Sequence, residues 1–263
     1  MGEGAPEVPP AARFTCPCCG HRTLGAPAGT TAAPCEVCAW EGRDLAGWRR
    51  FCGEALLAGQ RSYLATGACD PALVELTRAP RADEARPPWW RTLDDTPAAL
   101  LAALDRAFAD VDLAGGVSLA EADLIDDHAL PARTATDPPP RGHGLGPPWQ
   151  DLTLADLEAY HWGPFAFMDA RGIRYYLPAL IRFDLRGDRP ACLDSLVVCL
   201  TRHHQMPGVH RLLDDAQRRV VARWLLYRVL VPGDVGAASA RGALGHGWGD
   251  HLDADERAAI ADG

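Results

Sequence analysis

The 263-residue chain contains no lysine; all 26 of its basic residues are arginine. Together with abundant alanine, glycine and proline, this points to GC-rich coding and says nothing about mechanism. A strongly basic surface is also missing. The net charge is −9. Residues 1–92 hold 10 Arg against 10 acids, 93–230 hold 14 against 19, and 231–263 hold 2 against 6, giving 0, −5 and −4. Affinity for a phosphate backbone draws on clustered cations, so nucleic acid is disfavoured as the main partner. No apolar run approaches the roughly 20 residues that cross a bilayer. The opening "MGEGAPEVPPAAR" lacks the basic n-region and apolar stretch of a secretory leader, and Pro6 breaks the myristoylation pattern. A cytoplasmic protein without membrane association is expected. P-loop, dinucleotide-glycine, Gly-x-Ser-x-Gly and His-Glu-x-x-His strings are all absent, which removes the common sequence-readable enzyme classes.

What is present describes a folded protein. Hydrophobic residues make up 48% and charged ones 23%, the balance of a globular chain whose length suits two domains. Nine cysteines are present, four of them in two close pairs, within "CPCCGHRTLGAPAGTTAAPCEVCAW". Cys16 and Cys19, and again Cys35 and Cys38, are separated by two residues, with fifteen between the pairs. In a reducing compartment this C-x2-C-x15-C-x2-C spacing reads as a four-cysteine zinc site, because two tight turns can each present a pair of sulfurs to one ion at about 2.3 Å. Pro17 fixes φ inside the first turn and Gly20 leaves it with a free choice of φ. Cys18 is read as a small buried neighbour, with a reactive thiol as the alternative, and His21 as an exposed residue. Four protein ligands leave no open position, so one structural ion per chain is expected. Residues 13–50 carry five Arg and three acids; four thiolates and a dication add −2, leaving the metallated ribbon near neutral.

The stretch from "CPCCG" through "CEVCAWE" to "LLAGQRSYLATGACDP" resembles the cysteine-rich CPCC family of small bacterial domains, over about residues 14–92. The resemblance implies Cys16, Cys19, Cys35 and Cys38 as ligands and brings no biochemical activity. Ala39 departs from the aromatic common at that position, and "EGRD" weakens the usual acidic run after Trp40.

Leu56, Leu57, Tyr63 and Leu64 fall at helical spacing, with Gly67 as a stop. "APRADEARPPWW" reads as a connector anchored by Trp89 and Trp90. Further on, Thr96 and Pro97 open a helix whose apolar face is Leu100, Leu101, Leu104, Phe108 and Val111. Ser118-x-x-Glu121 is a capping box for a second helix, and Thr153 with Asp156 opens a third. Between them lies a Pro/Gly-rich loop ended by Trp149. In "GPFAFMDARGIRYYLPALIRFDLRG", the alternating Phe165 and Phe167, the "DARG" turn and Ile173 to Tyr176 predict a β-hairpin, with Pro178 opening a helix behind it. "LVVCL" is strand or helix. "DDAQRRVVARWLLYRVL" is an amphipathic helix that buries Val220, Val221, Trp224, Leu225 and Leu230. Taken together, "AFADV", "LIDDHAL", "WQDL", "FMDARGIRYYLPALI" and "AQRRVVARWLL" resemble an uncharacterised bacterial domain family with a YYLPA-like core, over about residues 97–230. It implies a compact domain and no function.

Other polar groups carry structural readings. Asp126, Asp127 and His128 are consecutive and point apart on a helix, so they are a solvated end. His203 and His204 read as an exposed loop. Asp169, Arg171 and Arg174 read as an ion pair at the hairpin turn, and Cys192 and Cys199 as buried packing. The expectation is an α+β chain. Residues 1–13 are disordered, 14–92 form the zinc ribbon, 97–230 a mainly helical domain with a β-hairpin, and 231–263 a flexible acidic tail. Functionally it reads as a non-enzymatic interaction or adaptor protein with an unidentified protein partner, an immunity or antitoxin role being a special case in which the acidic surface masks a basic partner. The alternatives are an enzyme with an unrecognised site near Tyr175, Tyr176 and His203, and nucleic-acid binding through the ribbon.

Overall fold

Two short hairpins organise the front of the chain. In a computed structural model that describes residues 13–26, 33–41, 52–127, 147–159, 164–201, 206–231, 234 and 236–258, β1 (Phe14–Thr15) pairs antiparallel with β2 (Arg22–Leu24). An isolated bridge joins Pro34 to Glu41. Each hairpin carries one Cys-x-x-Cys pair at its tip. Behind them runs α1 (Cys52–Thr66), which ends at Gly67, as its sequence predicts. Leu56 on this helix is buried, whereas Leu64, expected on the same apolar face, is 61% exposed. A 3₁₀ turn, Pro71–Leu76, follows, held by Asp70 at its start and Thr77 at its end. With so little sheet, the apolar centre consists of Leu24, Val37, Trp40 and Leu56 around the buried cysteines.

The chain divides into two compact units, Met1–Thr92 together with Ala254–Gly263, and Leu93–Asp253. The larger unit is helical. Its α2 (Thr96–Ala107) buries Leu100 and Leu104, and Phe108 and Val111 continue that face. Thr96 lies inside the first turn and Asp95 holds the cap position, without a side-chain capping bond. The capping box at Ser118–Glu121 forms as its spacing predicts, opening α3 (Leu119–Asp126); Thr153 caps α4 (Leu154–Glu158) as expected, and Asp156 completes a second box by accepting from the Thr153 amide. Trp149 is fully buried and donates from Nε1 to the Phe108 carbonyl at 2.8 Å.

The β-hairpin expected in this unit is not there; the hairpins belong to the cysteine-bearing part. Pro164–Phe167 is a 3₁₀ turn, and Ala170–Arg186 is one continuous helix, α5, with Pro178 in its interior. The reason lies at Asp169, whose carboxylate accepts from Gly172 N at 2.8 Å and from Val117 N at 3.0 Å. That cap starts the helix where a turn was expected. Ile173, Tyr176, Leu177, Leu180, Ile181 and Leu185 are then buried at a 3.6-residue period that spans Pro178. The strand-forming character of Ile and Tyr gives way to this burial.

The remaining helices are α6 (Leu193–Cys199), α7 (Met206–Leu212) and α8 (Asp215–Leu230). "LVVCL" is therefore helical. In α8, Val220, Val221, Trp224 and Leu225 are buried, while Leu230 is half-buried. Helix α8 packs on α2, and α5 packs on α2, α6 and α7.

The flexible tail expected from 231 onward is also corrected. It contains α9 (Ala237–Gly245), a 3₁₀ turn at Trp248–His251 and α10 (Ala254–Ala258). Trp248 is fully buried and donates to the Leu200 carbonyl at 3.1 Å, and α9 packs on α8 and α6. Burying an indole and the apolar residues Ala240, Ala243 and Leu244 outweighs the acidic composition that suggested disorder. At the other end, residues 1–12 lie outside the described residues, but Arg13 is in place, with Nη1 2.8 Å from Glu84 Oε1.

Candidate metal centre

The two cysteine turns are the same structure repeated nineteen residues apart. In the first, Cys16 N donates to the His21 carbonyl and Gly20 N to the Cys16 carbonyl, both at 2.9 Å. In the second, Cys35 N donates to Trp40 O at 2.8 Å and Ala39 N to Cys35 O at 2.7 Å. The residue after each second cysteine takes the left-handed conformation, Gly20 at φ +80° and Ala39 at φ +60°. Alanine accepts this at a cost of about 1 kcal/mol. Gly20 has a further constraint: a Cβ there would lie 2.4 Å from Cδ2 of Trp90.

These turns bring the sulfurs of Cys16, Cys19, Cys35 and Cys38 within 4.8 Å of one another, all four residues being buried. Cys16 and Cys38 are 3.7 Å apart at Sγ, and so are Cys19 and Cys35. A tetrahedral ion with sulfurs at about 2.3 Å requires sulfur–sulfur edges of about 3.8 Å. The donor set and its spacing therefore fit a tetrahedral thiolate-bound ion. The electrostatics point the same way. Burial pushes the Cys16 thiol well up, while hydrogen bonds from Cys16, Cys19 and Cys38 draw Cys35 down. Packed this closely, the sulfurs oppose one another's ionisation, and a cation among them removes that conflict.

The surroundings hold the turns in place. Gln60 Nε2 donates to the Pro17 carbonyl at 3.0 Å, Arg86 Nε to Cys19 O at 2.8 Å, and Cys69 N to Cys38 O at 2.7 Å. The Thr23 hydroxyl lies 3.0 Å from Cys35 Sγ. Cys18 is fully buried but outside the four; its Sγ faces Gly59 on α1. His21 is half-buried rather than exposed, with Nδ1 3.0 Å from the Glu84 carbonyl and its ring edge-on to Tyr63. Glu84 joins the unit's far ends. It receives Arg78 through two bonds of 2.7 and 2.6 Å, Arg13 at 2.8 Å and the Arg81 amide at 2.8 Å. Arg78 above all holds its carboxyl down at about 2. Arg78 also reaches Glu36, inside the second cysteine turn, at 2.6 Å.

Among the described residues, the other polar residues named from the sequence do not assemble into a second site. Asp126 and Asp127 are exposed at the end of α3, and His128, His203 and His204 lie outside the described residues. Asp169 is a helix cap and not the expected ion-pair partner. The Tyr175 hydroxyl donates to the Pro147 carbonyl and the Tyr176 hydroxyl accepts from Leu119 N. Cys192 and Cys199 are buried, and burial pushes the Cys192 thiol up to about 11.

Two clusters escaped the sequence reading. In one, the buried Arg228 donates to Asp234 at 2.9 and 3.0 Å and to Asp194 at 3.2 Å; Arg189 shares both acids. Trp224 Nε1 donates to Asp184 at 2.7 Å in the same group, where burial raises the Asp184 carboxyl. In the other, His210 and His251 stand 5.0 Å apart, centroid to centroid, beside Trp248. No short motif carries either cluster, since their members come from separate segments of the chain. Among the described residues, no helix is long and apolar enough to cross a membrane.

Compared with known families, residues 96–241 match a family of unknown function, DUF6714, and residues 14–84 match the cysteine-rich CPCC family. Neither a curated protein nor a solved structure matches the chain.

Proposed function

The chain belongs to the family of unknown function DUF6714 and carries a cysteine-rich CPCC segment in front of it, and we propose that it is a non-enzymatic protein-interaction module whose front unit is built on one structural zinc ion. The observation that carries this reading is the closed set of four buried sulfurs. Thiolate ligands at tetrahedral spacing favour zinc over the harder divalent ions. Bound there, zinc would serve as the cross-link between two hairpins too short to fold on apolar burial alone. With all four corners taken by protein, no position remains for substrate. Cys16 and Cys19 fix one turn, Cys35 and Cys38 the other, and Gln60, Arg86 and Thr23 orient the turns from outside.

Elemental analysis of the purified protein tests this. One zinc per chain is expected, with loss of metal and of the front unit's fold in Cys35→Ser. Cys18→Ser should keep full metal, since its sulfur lies outside the four. A chain free of zinc after purification without chelator, or full zinc in Cys35→Ser, would be decisive against the assignment.

A further inference from the structure

Two histidines of the helical unit stand together with their ring nitrogens unbonded. Of the imidazoles among the described residues, His21 and His246 each set Nδ1 against a backbone carbonyl, that of Glu84 at 3.0 Å and that of Gly242 at 2.6 Å. His210 on α7 and His251 in the turn Trp248–His251 do not. Neither ring makes a hydrogen bond or ion pair among the described residues, and Nε2 of His210 is buried without a partner. Both residues are half-buried, and their ring centroids lie 5.0 Å apart with the planes tilted by 47°. A buried polar atom left unpaired in a folded chain calls for a water or an ion.

We propose that His210 and His251 form a second metal site, separate from the cysteines, which takes a divalent ion of zinc's class with water in the remaining corners. Imidazole suits such ions, and the spacing agrees. With zinc–nitrogen bonds of about 2.0–2.1 Å and about 1.1 Å more to each ring centre, a tetrahedral angle puts two imidazole centroids about 5 Å apart. Burial, first among the causes, depresses both histidines, so each ring is neutral near neutral pH and keeps a lone pair for a metal. Charge does not oppose the ion. Asp250 acts on both rings and Asp215 on His251, against Arg218 on both and Arg219 on His251, which is two acids for two guanidiniums. No third His, Cys, Asp or Glu donor stands with the pair among the described residues. With two protein donors the site exchanges its metal, so it fills on titration rather than during purification, and it does not rest on the cysteine site.

The structural alternative is packing alone. His210 lies edge-on to Trp248 at 4.4 Å, and an N–H directed at the indole face would account for its buried nitrogen. It would not account for His251, whose ring is 6.5 Å from that indole. The test titrates zinc into the full chain as purified and follows the histidine Cε1–Hε1 resonances by NMR. A saturable shift of His210 and His251 is expected, with His246 unmoved. His210→Gln and His251→Gln should each weaken that binding more than about tenfold, since even an outer partner of a ligating imidazole is worth that much; His246→Gln should not. The idea is overturned if neither resonance shifts up to about 1 mM free zinc, if other histidines shift in their place, or if either of the two Gln variants binds as the parent does. The resonances of the unmodified chain decide the matter even where a variant fails to fold. They report on these two rings whatever the cysteine cluster holds, so failure here and failure of the cysteine site are distinguishable.

Discussion

Replacing Gly20 with alanine should loosen the metal centre without touching a ligand, and the size of the effect can be worked out. The left-handed φ of +80° at this position costs an L-residue about 1–2 kcal/mol. The added Cβ also falls 2.4 Å from Cδ2 of Trp90 and 2.7 Å from Cε2 and Cε3. A ring atom cannot swing aside as a flexible chain end can. Trp90 is only 9% exposed, its amide donates to Pro87 O at 3.1 Å, and Arg86 lies over its ring. Forcing it outward adds a further ~1–3 kcal/mol. The sum is about 2–5 kcal/mol. Because folding of such a unit is coupled to metal binding, this should appear as roughly a thirtyfold or greater loss in zinc affinity, measured by competition with a chromophoric chelator. The second turn supplies a control. Ala39 already sits at φ +60°, so Ala39→Gly should change affinity little, relief of strain being offset by the greater freedom of the unfolded glycine chain. Coupling with Trp90→Ala isolates the steric part, which should vanish in the double variant. A Gly20→Ala protein within twofold of the parent would refute the claim that tight packing on Trp90 shapes the turn.

Further outcomes are expected elsewhere. Glu84→Gln leaves Arg78 and Arg13 without their shared charge and should destabilise the front unit by about 3 kcal/mol in urea unfolding. In the unmodified protein, the Glu84 carboxyl titrates near 2, below its usual 4.5. Its contribution, about 1–3 kcal/mol after allowing for the part-exposed Arg78, is complete above pH 4.5 and lost as pH falls toward 2. In the helical unit, burial first, then His251 and Arg218, depress His210; burial first and then Arg218 depress His251. Both are thus held neutral in the fold, so thermal stability should fall as pH drops below about 6.5, and His251→Gln should flatten that slope. Gly236→Ala puts a Cβ 2.1 Å from Arg228 Nη2, an atom pinned by two aspartates, and should cost about 3 kcal/mol in calorimetry.

How much of this could be read in advance depended on whether the determining interaction was local. The four-cysteine cluster and the Ser118 capping box were legible because spacing alone defines them: two intervening residues in each cysteine turn, and Glu121 three residues after Ser118. The same holds for Trp149, whose place after a Pro/Gly-rich loop marked it as an anchor. Helix α5 was misread because its start depends on a distant donor. Asp169 accepts from Val117 as well as from Gly172, and only the local half of that cap is visible in the chain. Pro178 then divided a continuous helical period into an apparent hairpin and a shorter helix. The acidic segment after 231 misled by composition, since one buried indole at Trp248 and a small-residue helix fix it despite its charge.

The cysteine cluster shows how a local motif and distant contacts share the work. Cys18 and Cys19 are adjacent, yet only one joins the four, because the first turn places Cys16 and Cys19 toward the centre and Cys18 toward α1. There the absence of a side chain at Gly59 leaves room for the Cys18 sulfur and for the Trp40 ring. Which cysteines enter the cluster is therefore decided twice, by the turn's own hydrogen bonds and by what the neighbouring helix can accept. The same double constraint acts on Gly20, with Trp90 in place of α1, and Trp90 in turn helps to place Arg86. A chain of contacts runs from the sulfurs through a backbone carbonyl to an exposed guanidinium. Disturbing the metal should therefore displace Arg86, whereas truncating Arg86 beyond its Nε bond should leave the metal in place.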